Sequence, residues 1–137
     1  MVSDPLREQA GILLGKARDD DYACRSLSVD EHASAWIVGF HAQQAVEKSI
    51  KAVLAARSVH YPFTHDIEAL IKLLRQSGIP LPPDADNLPR LTPLGVLMRY
   101  EDELDDQPSP SMPVDWIVSR SAQTINWAET QLRQTGA

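Results

Sequence analysis

The chain has 137 residues, a hydrophobic fraction of 43% and a formal net charge of −6 at pH 7. Its length is typical of one domain, so we expect residues 1–137 to form a single domain. The acidic composition disfavours a protein that holds nucleic acid mainly through phosphates, because such proteins present a broad basic surface. Cys24 is the only cysteine, which excludes an intrachain disulfide and a thiolate zinc cluster.

Targeting and metal signals are also absent from the sequence. The first residues lack a basic stretch followed by an apolar run, so they do not resemble a secretory signal. No stretch reaches the roughly 18 apolar residues of a membrane-spanning helix. The histidines show no ligand spacing typical of zinc sites. We therefore expect a cytoplasmic protein with no membrane contact, no metal and no cofactor.

Helical patterns dominate the first half of the chain. Asp4, followed by a proline, predicts the cap of a first helix. The acidic run at 19–21 predicts that this helix weakens or ends there, because negative charge is unfavourable near a helix C-terminus. Ser28 and Glu31 match a capping box, so a second, long helix is predicted over residues 29–57.

A proline-containing break at residues 61–63 precedes the third predicted helix. Thr64 is its predicted cap, and Gly78 lies just past its end, where glycine is the usual stop residue. Its free N-terminal N–H groups favour an anion.

The second half of the chain alternates Pro-rich loops with helices. Residues 79–90 contain four prolines and predict an extended connector. Thr92, again followed by a proline, predicts a fourth helix that includes Leu97 and Met98. A further loop at 107–113 precedes a fifth helix predicted over 114–133. Without strand-like alternation, the pattern predicts an all-α, up-and-down bundle of four or five helices.

The second predicted helix carries polar residues beside large apolar ones. Gln44, Glu47 and Lys51 form one stripe, and Lys48 lies slightly further round. Two interpretations stay open. In the first, the stripe is solvated and the Glu47–Lys51 pair stabilises the helix by about 0.2–0.5 kcal/mol. In the second, the stripe faces a dimer partner or a shared groove. The neighbouring apolar side chains of Ile37 and Phe40 favour contact.

Three segments together resemble the HEPN (higher eukaryote and prokaryote nucleotide-binding) family: FHAQQAVEK at 40–48 with Lys51, YPFTHDI at 61–67, and Arg99-Tyr100. The resemblance covers most of the chain and implies an all-α bundle that pairs as a homodimer. It also implies a nucleotidyltransferase partner, as in toxin–antitoxin modules. Some members of the family are metal-independent ribonucleases, and others are linked to nucleotide binding.

The ribonuclease members are similar in carrying an arginine and, four to six residues later, a histidine in a late helix. No histidine follows His65 in this sequence. Arg25 and His32 have the right spacing, but they bracket the predicted start of the second helix. We therefore expect a non-catalytic or weakly active protein. A ribonuclease toxin that uses the Arg25–His32 pair is one alternative, and a plain interaction module without a ligand is another.

A nucleotide-like anionic ligand, or RNA, is expected to contact Gln44, Lys48, Lys51, His65 and Arg99. The first three lie on one flank of the second helix, and the planar fork of an arginine suits phosphate. The alternatives are that the cations pair with Glu47 and Asp66, and that His65 is structural, buried against the second helix or Tyr61.

Overall fold

The structure is a computed structural model and describes residues 4–95 and 110–136. This part of the chain contains no strand. Its helices are α1 (Pro5–Ser28), α2 (Ala35–Ala56), α3 (Ile67–Gln76), a 3-10 helix (Ala85–Gly95) and α4 (Val114–Thr135). The predicted all-α helical bundle is therefore confirmed. None of the helices described is long and apolar enough to span a bilayer.

The first helix begins as predicted but ends later than the sequence suggested. Asp4 caps it by accepting a hydrogen bond from the backbone N–H of Leu6 at 2.9 Å. The helix continues through the acidic run to Ser28, because two of the carboxylates there have partners on other helices. Asp20 contacts the His41 and Lys48 side chains of α2, and Asp21 accepts a hydrogen bond from α4.

The predicted start of the second helix is wrong by about one and a half turns. Ser28 is the last residue of α1, and its hydroxyl donates to the carbonyl of Arg25 at 2.7 Å instead of capping the next helix. The cap of α2 is Ser34, whose hydroxyl accepts from the backbone N–H of Ile37 at 3.3 Å. Residues 29–34 form the turn between the two helices.

The second helix is the centre of the bundle. It packs against α1, α3, α4 and the 3-10 helix, and α1 also contacts α4. Most of its side chains are buried, including Val46, Ile50, Val53 and Leu54. A helix surrounded by other elements buries its polar positions as well as its apolar ones, which sets up the site described below.

The third helix is capped by Asp66 instead of Thr64. The Asp66 carboxylate accepts from the N–H of Glu68 at 3.0 Å, and the Thr64 hydroxyl accepts from the N–H of Asp66 at 3.1 Å. Gly78 follows the end of the helix with φ of +68°, a left-handed conformation that favours glycine. The predicted stop is thus confirmed.

Residues 79–84 form a connector as predicted, but the 3-10 helix replaces the rest of the predicted connector at 79–90 and the predicted start of a helix at Thr92. Pro89 and Pro93 lie inside it and lack the N–H groups that a continuous α-helix needs. Side chains three residues apart line up in a 3-10 helix, and Leu88, Leu91 and Leu94 are accordingly buried together.

Two glycines allow this 3-10 helix to approach α2 closely. A Cβ atom on Gly39 of α2 would lie 2.8 Å from the Leu94 Cδ1 atom. A Cβ atom on Gly95 would lie 2.5 Å from the Cδ atom of Gln43 on α2. Beyond Gly95, the predicted continuation through Leu97 and Met98 lies outside the described residues.

The last helix begins at the predicted residue 114 and ends two residues after the predicted 133. Gly136 follows its end with φ of +73°. Its buried side chains include Ile117, Ser121, Ile125 and Leu132. The Ser121 hydroxyl donates to the Asp21 carboxylate of α1 at 2.7 Å.

Candidate functional site

A buried carboxylate lies at the middle of α2. Glu47 is 3% exposed, and three donors converge on it. The side-chain amide of Gln43 donates to Oε1 at 3.0 Å, and the Lys51 ammonium donates to Oε2 at 3.0 Å. The His65 Nδ1 atom lies 3.0 Å from Oε1. We call these four residues the Glu47 network.

Helix geometry assembles three members of the Glu47 network. Gln43, Glu47 and Lys51 are spaced by four residues, so their side chains lie one above the other on one face of α2. The connector after α2 supplies the fourth member, His65. The backbone of His65 adds a longer contact, because its carbonyl lies 3.5 Å from the Gln43 amide nitrogen.

The electrostatics of the network keep Glu47 ionised. Burial raises the pKa of this carboxyl group, but hydrogen bonds from Gln43 and Lys51, the charge of Lys51 and the His65 bond together hold it below its usual value. Lys51 is itself 9% exposed, and its ammonium lies 5.7 Å from the centroid of the Tyr61 ring. Lys51 is therefore held between a carboxylate and an aromatic face.

The network reaches the surface at His65. Its side chain is 44% exposed, although Nδ1 contacts the buried carboxylate. A ring that donates from Nδ1 to a carboxylate leaves its second nitrogen available to a ligand. Phe63 is 97% exposed and packs edge-on against His65, with ring centroids 5.8 Å apart. We call Phe63 and His65, with Glu47 and Lys51 beneath them, the His65 corner.

A second polar cluster lies between α1 and α2. Asp20 accepts from the Lys48 ammonium at 2.6 Å, and its other oxygen lies 3.0 Å from the His41 Nδ1 atom. The ring of Phe40 packs edge-on against His41. Lys48 is thus committed to α1 and does not join the Glu47 network.

The described residues among the predicted ligand residues therefore belong to two different clusters. Lys51 and His65 meet at Glu47, and Gln44 joins indirectly, because its amide donates to the Gln43 side-chain oxygen at 2.6 Å. Lys48 belongs to the Asp20 cluster. Arg99 lies outside the described residues. Both lysines pair with acids, which is the alternative that the sequence left open. Lys51 pairs with Glu47 as that alternative predicted, and Lys48 pairs with Asp20.

Two of the N–H groups at the start of α3, where an anion was expected, have partners within the protein. The Ile67 N–H donates to the Thr92 hydroxyl at 3.2 Å, and the Glu68 N–H donates to the Asp66 carboxylate. The Asp66 cap therefore places a carboxylate at the helix end where the sequence predicted an anion. His65 does contact the second helix as predicted, but it is half-exposed instead of buried.

Three residues of these clusters, Gln43, Asp20 and Phe63, were not among the predicted ligand residues. Gln43 is completely buried and bonds Glu47 directly, and its spacing of four residues from Glu47 was visible in the sequence. Nothing in the sequence identifies Asp20 as the partner of Lys48, because that pairing depends on how α1 packs against α2. Phe63 was assigned only to the break between helices.

The alternative pair Arg25 and His32 is not assembled as a site. Arg25 bonds Asp21 at 3.0 Å on the same helix. His32 lies in the turn after α1, with an 87% exposed side chain near Glu31. Residues 4–95 and 110–136 hold no cluster of three or more histidine, cysteine or acidic side chains suited to a metal ion.

The fold is an all-α bundle whose central helix buries linked glutamine, glutamate and lysine side chains. The histidine of a Thr-His-Asp turn completes this network. The model of the HEPN domain family matches residues 12–125, and the chain belongs to this family. Searches of curated proteins and of solved structures gave no match.

Proposed function

We propose that this HEPN protein binds a nucleotide-like anionic ligand at the His65 corner and does not cleave it. One observation carries the proposal: a half-exposed imidazole is anchored through Nδ1 to a buried, ionised carboxylate. A buried acid that fixes one ring nitrogen orients the other nitrogen toward solvent. The fully exposed ring of Phe63 lies directly beside it.

The chemistry of the corner suits a nucleotide. Lys51 neutralises Glu47, so the buried pair beneath His65 carries no net negative charge that would repel an anion. The exposed part of the His65 ring can hydrogen-bond a phosphate oxygen. The Phe63 ring offers a face on which a base can stack. The exposed Asp66 carboxylate is the opposing charge nearby, and it is engaged in capping α3.

The placement of Arg25 and His32 supports the non-catalytic part of the proposal. General acid–base catalysis requires groups that reach the same reacting atoms, whereas Arg25 is bonded to Asp21 and His32 extends from a turn. Purified protein is expected not to cleave RNA. Robust cleavage that disappears in both Arg25→Ala and His32→Ala would overturn this part of the proposal.

Calorimetric titration with adenosine monophosphate tests the binding site. We expect saturable binding that weakens as salt is raised, because the recognised group is an anion. His65→Gln and Phe63→Ala should each weaken binding. His60→Gln is the matched control, since His60 is an exposed histidine of the same connector.

Two results would refute this assignment. One is the absence of saturable binding. The other is binding that His65→Gln and His60→Gln reduce equally, which would mean that the site lies elsewhere. Adenosine, which lacks the phosphate, should bind much more weakly than adenosine monophosphate if an anion is recognised.

A second candidate function is assembly, as a homodimer and with a nucleotidyltransferase. It is favoured by a stripe of half-buried side chains along α2 that includes Ile37, Phe40 and Gln44. Such partly covered apolar residues on a central helix suit a protein interface. Light scattering should give twice the monomer mass of 15.2 kDa. A monomer at high concentration would exclude the homodimer, and failure to co-purify with a co-expressed nucleotidyltransferase would exclude that partner.

A further inference from the structure

Two arginines share one tryptophan ring on the side of the bundle formed by the 3-10 helix and α4. The guanidinium carbon of Arg90 lies 5.2 Å from the centroid of the Trp116 ring, and that of Arg120 lies 5.8 Å from the same centroid. Both distances are typical of a cation over an aromatic face. Like charges repel, so their gathering at one indole calls for a reason.

The two guanidinium groups differ in what else they bind. Arg120 is largely buried and committed to the protein: NH1 donates to the Asp84 carboxylate at 3.0 Å and NH2 donates to the Ser119 hydroxyl at 3.2 Å. Arg90 is exposed. Within residues 4–95 and 110–136, Arg90 is the one arginine that forms neither a hydrogen bond nor an ion pair.

Stacking without hydrogen bonding gives Arg90 the properties of a binding group. The indole restrains the guanidinium plane, so less side-chain freedom is lost when a ligand binds. None of the five N–H donors of Arg90 bonds a residue that the structure describes. The charges also favour an anion, because Asp84 pairs with Arg120 and no described acid pairs with Arg90. The exposed Asp115, next to Trp116 in sequence, is the nearest further acid along α4.

We infer that Arg90 and Trp116 form a binding site for a phosphomonoester group, separate from the His65 corner. The planar fork of Arg90 fits two phosphate oxygens at once. Arg120 is neutralised by Asp84, so Arg90 supplies the positive charge that lacks a partner among the described residues. The inference stands on residues that the Glu47 network does not contain and does not depend on the proposed function.

Fluorescence titration tests the site, because Trp116 reports on it directly. Inorganic phosphate, ribose 5-phosphate and adenosine monophosphate are added to the full chain in a phosphate-free buffer, with ribose as the uncharged control. We expect the phosphorylated probes, but not ribose, to change the emission saturably. Trp116→Phe should remove that change, although Trp36 and Trp127 still emit. A preference for adenosine monophosphate over ribose 5-phosphate would identify a nucleotide as the source of the phosphate.

Variants at Arg90 decide whether its fork is responsible. Arg90→Ala should weaken binding at least about tenfold, the loss expected for one charge-assisted bidentate contact. Arg90→Lys keeps the charge but loses the planar fork and should remain several-fold weaker than wild type. Arg75→Ala is the matched control, since Arg75 is an exposed arginine that already pairs with Asp86.

Four outcomes would overturn the inference. They are the absence of a saturable signal, equal losses in Arg90→Ala and Arg75→Ala, full affinity in Arg90→Lys, and a signal that disappears in His65→Gln. The last outcome would show that the phosphate binds at the His65 corner. Circular dichroism of Arg90→Ala should match wild type, because the replaced side chain is exposed and makes no hydrogen bond among the described residues.

Discussion

Replacing Glu47 with glutamine should destabilise the protein far more than the same change at a surface glutamate. Glu47 and Lys51 form an ion pair whose side chains are only 5% and 11% exposed. Removing one partner of a buried pair leaves an uncompensated charge, which costs about 3–5 kcal/mol. Glutamine can still accept one hydrogen bond, and the Lys51 side chain is not completely covered, so we expect about 3 kcal/mol.

Urea unfolding followed by far-UV circular dichroism measures this loss, provided that all variants are compared at one protein concentration. Glu129→Gln is the control. Glu129 pairs with Arg18 at 3.0 Å, but both side chains are substantially exposed, so the change should cost less than about 1 kcal/mol.

A third variant tests the mechanism of the loss. Adding Lys51→Met to Glu47→Gln removes the charge that has lost its partner and should recover at least about 1 kcal/mol. If Glu47→Gln alone stays within about 1 kcal/mol of wild type, or if Lys51→Met adds to the loss, Glu47 does not neutralise a buried lysine and the reasoning fails.

Three further predictions concern pH, thiol reactivity and packing. The lowered pKa of Glu47 means that the unfolded chain binds this proton more readily. Its stabilisation should therefore be complete above the unfolded pKa of about 4.3 and decline as pH falls below it, a dependence that Glu47→Gln should reduce. Burial raises the pKa of Cys24 to about 12, so a thiol reagent at pH 8 should label unfolded protein but not native protein; fast native labelling would contradict this. Gly95→Ala should cost about 1–3 kcal/mol, because its Cβ atom would displace the buried Gln43 side chain. Gly15→Ala, at an open helical position, should instead stabilise by up to about 1 kcal/mol, and equal effects at both glycines would contradict the packing argument.

The helical class was predictable from the sequence, but several helix ends were not. The Asp4 cap and the Gly78 stop are both where the sequence placed them, whereas the capping box at Ser28 and the cap at Thr64 are not. Tertiary contacts overrode a further signal. The acidic run at 19–21 does not end α1, because Asp20 and Asp21 are satisfied by side chains from other helices.

The candidate site shows the same division. Helix spacing placed Gln44 and Lys51 on one flank of α2, and the turn after α2 brought His65 to that helix as expected. Sequence alone did not show that Glu47 is the shared acceptor, because burial of a charged stripe depends on the helices that surround it. The sequence also placed Lys48 in the site, whereas in the structure Lys48 pairs with Asp20 of α1.

The close approach between α2 and the 3-10 helix has a consequence for how this sequence can vary. Gly39 makes room for Leu94, and Gly95 makes room for Gln43. The space beside each glycine is therefore filled by a side chain from the other helix, and the two contacts involve the neighbouring positions 94 and 95 of the 3-10 helix. A larger residue at 95 requires a shorter one at 43, and shortening Gln43 removes a donor from Glu47. Positions 43 and 95 should therefore covary among related chains, so that substitutions in the 3-10 helix are limited by the polar chemistry of the central helix.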